Sequence, residues 1–260
     1  MTGPSPDDNA RAPDPQSFRG HCLGLFLDVD GTLLDFAATP DGVRVDDAML
    51  VLLSRLREAL GGSVALISGR PLAQIDQLFR PLRLPAAGIH GFERRSAAGH
   101  LYRPSTSVSG LDRIRRWLQS VVLPESGLLL EDKGHSLALH YRLAPQAAGR
   151  ALASARSALA ELGSGYEILE GAKVVELKPA GLNKATAIEA FMKEPPFTGC
   201  VPIFLGDDVT DFDGFSAVRS HGGVDIAVGD RAFARWHLEG PAAARAWLRT
   251  LADCLDADRK

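Results

Sequence analysis

From residue 22 onward, short apolar runs alternate with longer stretches whose apolar residues recur every three or four positions. The runs at 22–27, 63–67, 85–89, 201–205 and 224–228 are apolar and mostly carry β-branched residues. A run without polar alternation suits a strand covered on both faces, as in a parallel sheet between helices. The stretches at 47–60, 72–79, 182–192, 211–218 and 241–255 have the spacing of amphipathic helices. Strands and helices in alternation predict an α/β fold with a doubly wound, parallel-sheet core.

The middle of the chain breaks this rhythm. Residues 111–122 predict a helix, and 128–132 with 136–142 a hairpin turning at Lys133-Gly134. Residues 145–162 are Ala-rich and helical, and 166–170 with 173–178 predict a second hairpin around Gly171. Helix–hairpin, helix–hairpin reads as an α+β cap inserted into the core. The expected division is a core of 18–105 and 181–260, a cap of 106–180, and a tail of 1–17. The tail is rich in Pro and Asp and poor in large apolar residues, so disorder is expected there.

Composition narrows the partners. The 29 basic and 32 acidic residues give a formal net charge of -3, which supplies no general attraction to nucleic acid or anionic lipid. Any anion must be bound locally, which favours a small molecule. No apolar run approaches the ~18 residues of a membrane span, and no signal-peptide pattern opens the chain. Cys22, Cys200 and Cys254 are scattered and odd in number. A disulfide framework is therefore not expected, and a cytoplasmic, reducing compartment is. The oligomeric state is left open.

Candidate chemistry sits at strand ends. The first apolar run closes on Asp28-Val29-Asp30-Gly31-Thr32-Leu33. A buried strand ending on two carboxylates needs something to offset their charge, and open α/β sheets bind ligands at that edge. A divalent cation would keep both ionised and neutralise an incoming phosphate. Asp and Gly are also ordinary turn residues, but the Thr-Leu continuation favours the functional reading. A calcium loop is excluded because its twelfth position, which needs a Glu, falls on Thr39, with Leu33 and Leu34 in the intervening stretch.

Gly206-Asp207-Asp208-Val209-Thr210-Asp211 also follows an apolar run and precedes a helix. If the two runs are neighbouring strands, their acids converge on one metal held by Asp28, Asp30 and Asp207. Asp208 and Asp211 support it, although Asp211 also reads as a plain first-turn residue. Ser68-Gly69-Arg70-Pro71 ends another strand, and the Ser68 hydroxyl with the Gly69 N–H could hold phosphate. Taken singly, Ser68 is an ordinary cap and Lys184 an ordinary surface lysine.

The four segments in this order resemble the haloacid dehalogenase superfamily of phosphatases. That resemblance implies Asp28 as nucleophile, Asp30 as general acid/base, Ser68 and Lys184 on the transferring phosphoryl group, and Mg2+ at Asp207. Within the insert, Leu130-Glu131-Asp132-Lys133-Gly134-His135-Ser136 and Leu169-Glu170-Gly171-Ala172-Lys173-Val174-Val175-Glu176 are similar to the trehalose-6-phosphate phosphatase family. Gly88-Ile89-His90-Gly91-Phe92-Glu93 suits the same family. The resemblance implies a sugar-phosphate substrate and places Glu131, Lys133, Lys173 and Glu176 on the disaccharide. Phe212 departs from the family, which more usually has an acid there. Sucrose phosphate and mannosylphosphoglycerate are alternative substrates, with a phosphomutase or a nonenzymatic phosphate-binding protein further behind.

Overall fold

The computed structural model describes residues 12–36, 42–104, 110–122 and 127–257. The chain folds into two compact units, one of residues up to Tyr102 and from Asn183 onward, the other of Arg103–Leu182.

In the first unit the elements run β1 (Leu23–Asp28), α1 (Asp47–Ala59), β2 (Val64–Ile67), α2 (Leu72–Leu78), β3 (Ala86–Gly88), β4 (Glu93–Arg95) and β5 (Leu101–Tyr102). After the second unit come α5 (Lys184–Met192), β10 (Val201–Gly206), α6 (Phe212–Ser220), β11 (Val224–Val228), β12 (Trp236–Leu238) and α7 (Pro241–Ala257). The sheet order is β12-β11-β10-β1-β2-β3-β4-β5. It is parallel from β12 to β3 and antiparallel over its last two pairings.

Every residue of β1 is buried, and its side chains alternate between two apolar layers. Leu25 and Leu27 pack with Leu53 and Leu56 of α1, Ile75 of α2 and Leu248 of α7. Phe26 faces the other way, toward Ile188 and Phe191 of α5 and Phe215 of α6. Helices on both faces make β1 a fully covered strand, which is why its sequence lacks alternation. Its carboxyl end is the edge where polar groups emerge.

The second unit contains α3 (Leu111–Val122), β6 (Leu129–Asp132), β7 (Leu137–His140), α4 (Ala148–Leu162), β8 (Tyr166–Gly171) and β9 (Val174–Pro179). Its antiparallel sheet has the order β6-β7-β9-β8. Leu137, Leu139, Val175 and Leu177 pack on one face with Ile114 and Leu118 of α3 and Ala151, Ala155 and Ala158 of α4. The alternate positions Ala138, His140, Glu176 and Lys178 belong to the opposite face.

Three expectations need correction. Residues 12–17 are ordered, not part of a disordered tail: Pro15 is buried, and Trp247 Nε1 donates to the Pro13 carbonyl at 2.8 Å. Phe18, packed edge-on against Trp247 at 6.1 Å, anchors this segment on α7. Residues 1–11 and the expected boundary near 106 lie outside the described residues. The strands β4, β5 and β12 went unrecognised because each is only two or three residues long, too short for periodicity to register. Finally, Cys22 and Cys200 form a disulfide across β1 and β10. Linear spacing hid this pair: 178 residues separate them, yet the register Leu23↔Val201 brings the preceding residues together. Cys254 is free.

Candidate active site

The site forms where β1, β2 and β10 end side by side. Asp28 is the last residue of β1, and Ser68 and Asp207 directly follow β2 and β10. Gly31 turns the chain back with φ +88°, and a Cβ there would lie 2.3 Å from Asp207 Oδ2. The turn thus requires glycine both for its backbone and for the approach of the second acidic segment. Thr32, fully buried, directs its hydroxyl to Asp207 Oδ1 at 3.5 Å.

Lys184 arrives from α5, whose start is fixed by a capping box between Asn183 and Thr186. Its ammonium donates to Asp28 Oδ1 at 2.7 Å and to Asp211 Oδ1 at 2.5 Å. The other Asp211 oxygen accepts from the backbone N–H groups of Asp207 and Asp208, each at 3.0 Å. Asp211 is therefore more than a first-turn residue: it holds both the lysine and the acidic loop. A Cβ at Gly206 would sit 2.4 Å from the Asp211 Cγ, so this packing also depends on a glycine. Asp208 caps the single 3₁₀ turn Val209–Asp211, accepting from Val209 N–H at 2.8 Å.

Ligand oxygens of Asp28, Asp207 and Asp211 all lie within 4.8 Å of one another. The cluster contains Asp28 and Asp207 of the expected set, with Asp211 as its third carboxylate. Asp30 faces Arg70, which grips it through two bonds of 2.6 and 2.7 Å. Asp207 is held by Arg231, whose guanidinium also stacks on Phe36 at 4.3 Å. Asp28 Oδ2 is buried and has no hydrogen-bond partner among the described residues. A buried carboxylate oxygen left in this state points to a ligand that completes it.

Charge crowding is visible in the acidities. Burial, countered by Lys184 but reinforced by Asp211 and Asp30, pushes Asp28 from an ordinary 3.8 up to about 7. Burial and the charges of Asp28 and Asp211 push Asp207 up to about 9, against the opposing pull of Arg231 and Lys184. Burial alone would lower Lys184, yet Asp211 and Asp28 raise it above its usual value and keep it cationic. A divalent cation fits this all-oxygen, charge-excess set.

Ser68 is buried, and its Oγ accepts from the Arg70 N–H at 3.1 Å, which folds the Ser68-Gly69-Arg70 loop tightly. His90 N–H donates to the Ser68 carbonyl at 3.0 Å and secures the loop from β3's side. Asp213, at the start of α6, accepts from Asn183 Nδ2 at 2.8 Å and ties α6 to α5. The neighbouring Phe212 is partly exposed and lies 6.5 Å from the Phe215 ring.

In the second unit a different polar cluster occupies the sheet face opposite the helices. The register Glu131↔Ala138↔Glu176 sets two glutamates on one row. Glu176 is buried, with one oxygen bonded to Lys133 Nζ at 2.7 Å and the other to Ser136 Oγ at 2.7 Å. Glu131 meets His140 Nε2 at 2.8 Å. Burial would raise the Glu131 pKa, but the His140 hydrogen bond and the Lys133 charge outweigh it and the net shift is downward. Lys173 does not share these contacts: it is exposed in the β8–β9 turn with φ +65°. Arg70, Arg231 and His140 were not singled out from sequence. Arg70 lay inside a recognised segment, whereas Arg231 stands 24 residues from Asp207 with no local signal.

Fold and site together define a haloacid dehalogenase-like core that carries an inserted α+β module. The trehalose-phosphatase family model matches residues 26–243, and the chain belongs to that family. A protein of Sinorhizobium fredii named as a probable trehalose-phosphate phosphatase is 42% identical over 79% of this chain and 77% of its own length. The trehalose-6-phosphate phosphatase of Escherichia coli is 39% identical over 90% and 88%. Among solved structures, a trehalose-6-phosphate phosphatase related protein superposes with TM-score 0.73 at 27% identity, covering 92% of this chain and all of that one. The C-terminal domain of Candida albicans trehalose-6-phosphate phosphatase has the same fold, with TM-score 0.77 at 21% identity over 92% and 95%. Among the described residues no helix is long and apolar enough to cross a membrane.

Proposed function

We propose that the chain hydrolyses trehalose 6-phosphate to trehalose and phosphate, with Asp28 as nucleophile and Mg2+ as its metal. One observation carries the chemistry: Asp28 is a buried strand-end carboxylate with one oxygen on Lys184 and the other unsatisfied. Family membership and the two relatives named above support the substrate.

An Asp28 oxygen would attack phosphorus in line while the bond to the sugar oxygen breaks. Lys184, the Ser68 hydroxyl and the Gly69 N–H would hold the phosphoryl oxygens. Asp30 would give the departing sugar oxygen a proton, then take one from the water that hydrolyses the aspartyl-phosphate. Arg70 holds both Asp30 oxygens and favours the ionised form, so Asp30 must leave this grip to carry the proton. Asp207, with Asp28 and Asp211 clustered beside it, is the anchor for the cation. Bound there, a divalent ion supplies charge neutralisation and polarises a phosphoryl oxygen; oxygen-only donors suit magnesium. Asp208 and Asp211 support the loop.

Glu131, Lys133 and Glu176 are assigned to the disaccharide, whose hydroxyls both donate and accept, whereas Lys173, exposed in the β8–β9 turn, contributes little to that contact. A charged sugar phosphate does not cross a bilayer unaided, which favours the cytoplasm as the working compartment. The partner is a small molecule; the net charge of -3 favours neither nucleic acid nor membrane. The test is phosphate release from trehalose 6-phosphate, sucrose phosphate and mannosylphosphoglycerate, each with and without Mg2+. Preference for either of the latter two would overturn the substrate assignment.

A further inference from the structure

We propose that Arg231 is a built-in counter-cation of the metal site, seated on Asp207 until a divalent ion displaces it. Arg231 would thereby set how tightly the site takes its metal. The inference rests on the metal-dependent reading above and concerns metal binding alone.

Two cationic side chains of very different character neutralise the three carboxylates. Lys184 serves Asp28 and Asp211 and is buried, with a side chain only 3% exposed. Asp207 receives its charged partner separately, from Arg231, whose side chain is 38% exposed. A buried lysine cannot leave without stranding its charge in the interior, whereas the arginine has water beside it. Arg231 belongs to the segment between β11 and β12, so its movement need not disturb a helix or strand. Phe36 gives the guanidinium a ring to rest on at 4.3 Å and is itself 43% exposed.

A metal on Asp207 would stand beside the guanidinium, and two like charges at that separation repel. Binding therefore requires Arg231 to yield the Asp207 oxygen. In the metal-free protein the same arginine relieves the repulsion among three carboxylates. Arg231 thus favours the empty state and opposes the loaded one.

The experiment is titration of the full chain with Mg2+ alone, without substrate, by calorimetry. Arg231→Gln should lower the Kd for Mg2+ roughly two- to fivefold, the range of a part-exposed ion pair. Arg231→Lys, which keeps the charge, should stay nearer to the wild type. In chelator, Arg231→Gln should melt below the wild type, and Mg2+ should raise its Tm by more than it raises the wild-type Tm. Equal or weaker Mg2+ binding in a folded Arg231→Gln protein, as judged by circular dichroism, would overturn the proposal. So would equal tightening in Arg231→Gln and Arg231→Lys. A wild type that binds no Mg2+ removes both this inference and the metal-dependent reading. Mg2+ binding without trehalose 6-phosphate hydrolysis removes only the substrate assignment.

Discussion

The two polar clusters of this chain solve the problem of buried charge in opposite ways. In the second unit each glutamate has its own partner: Glu176 has Lys133 and Ser136, and Glu131 has His140. The Glu131 pKa is correspondingly lowered. In the first unit three carboxylates crowd together, Asp28 and Asp207 are pushed up, and one Asp28 oxygen is left without a partner. A balanced cluster is a set of fixed acceptors and donors, suited to recognition. A cluster with excess negative charge is incomplete until a cation and a reacting group arrive, which suits catalysis.

The sharpest way to break this contrast is Asp28→Asn. The amide keeps the shape but is a poor nucleophile, so turnover should fall at least about a thousandfold. Phosphate release measured on protein whose circular dichroism matches the wild type checks this. Substantial residual activity would mean that Asp28 is not the attacking group.

Removing the metal exposes the crowding directly. Chelation should reduce activity to background, and Mg2+ should restore it. Stability should respond as well. Asp28 and Asp207 have folded-state pKa values above their unfolded value of 3.8. Their protonated forms are favoured by folding, so this contribution is full below about pH 4. It is lost as pH rises through about 7 for Asp28 and about 9 for Asp207. The stabilisation conferred by Mg2+ should accordingly widen by a few kcal/mol between about pH 5 and about pH 9. Denaturant midpoints at the two values, with Mg2+ and with chelator, measure it. A Mg2+ effect that shrinks toward alkaline pH would contradict the charge-excess picture.

Much of this contrast was legible in sequence, but unevenly. Asp28, Lys184 and Asp207 could be placed because each ends, opens or follows an element with a clear apolar pattern. The pairing of β1 with β10 and β2 then brings Asp28 to Asp207 and to Ser68. What sequence could not supply was which way the carboxylates point. Asp30 lies two residues from Asp28, yet it belongs to Arg70, whereas Asp211 joins the cluster from the following turn. Arg231 and the Cys22–Cys200 pair depend on contacts across 24 and 178 residues, and no local pattern encodes either. In the second unit the hairpins were readable, but the partner of Glu176 was not. The Lys133 side chain reaches it from another hairpin, 43 residues away.

A smaller effect separates the clusters by substrate. Glu176→Gln removes the carboxylate on which the Lys133 ammonium sits at 2.7 Å while nearly conserving volume. It should lower kcat/KM for trehalose 6-phosphate roughly ten- to a hundredfold, as expected for about 1–3 kcal/mol of lost charged hydrogen bonding. A small aryl phosphate lacks the sugar that this cluster would hold, so its hydrolysis should change little. Equal losses on both substrates would make Glu176 a structural residue.

The smallest expected effect distinguishes the two lysines that sequence placed together. Lys133 is engaged, 2.7 Å from Glu176 with a side chain 8% exposed, whereas Lys173 is exposed in the β8–β9 turn. A lysine in water keeps its hydration and its rotamer freedom, so a sugar hydroxyl gains little from it. Lys173 has a backbone duty instead: its carbonyl accepts from the Tyr141 N–H at 2.9 Å, a bond that side-chain truncation leaves intact. Its φ of +65° is tolerated by few residue types, so the conservative change is Lys173→Asn, which suits that backbone while removing the charge. Lys173→Asn should therefore alter kcat/KM for trehalose 6-phosphate by less than about threefold. Lys133→Met, which removes the cation from the buried Glu176, should cost about tenfold or more. Steady-state kinetics of both variants on one preparation of substrate decides the matter. A loss at Lys173 equal to that at Lys133 would show that the turn lysine leaves solvent to hold the sugar, and the division between the engaged and the exposed lysine would fall.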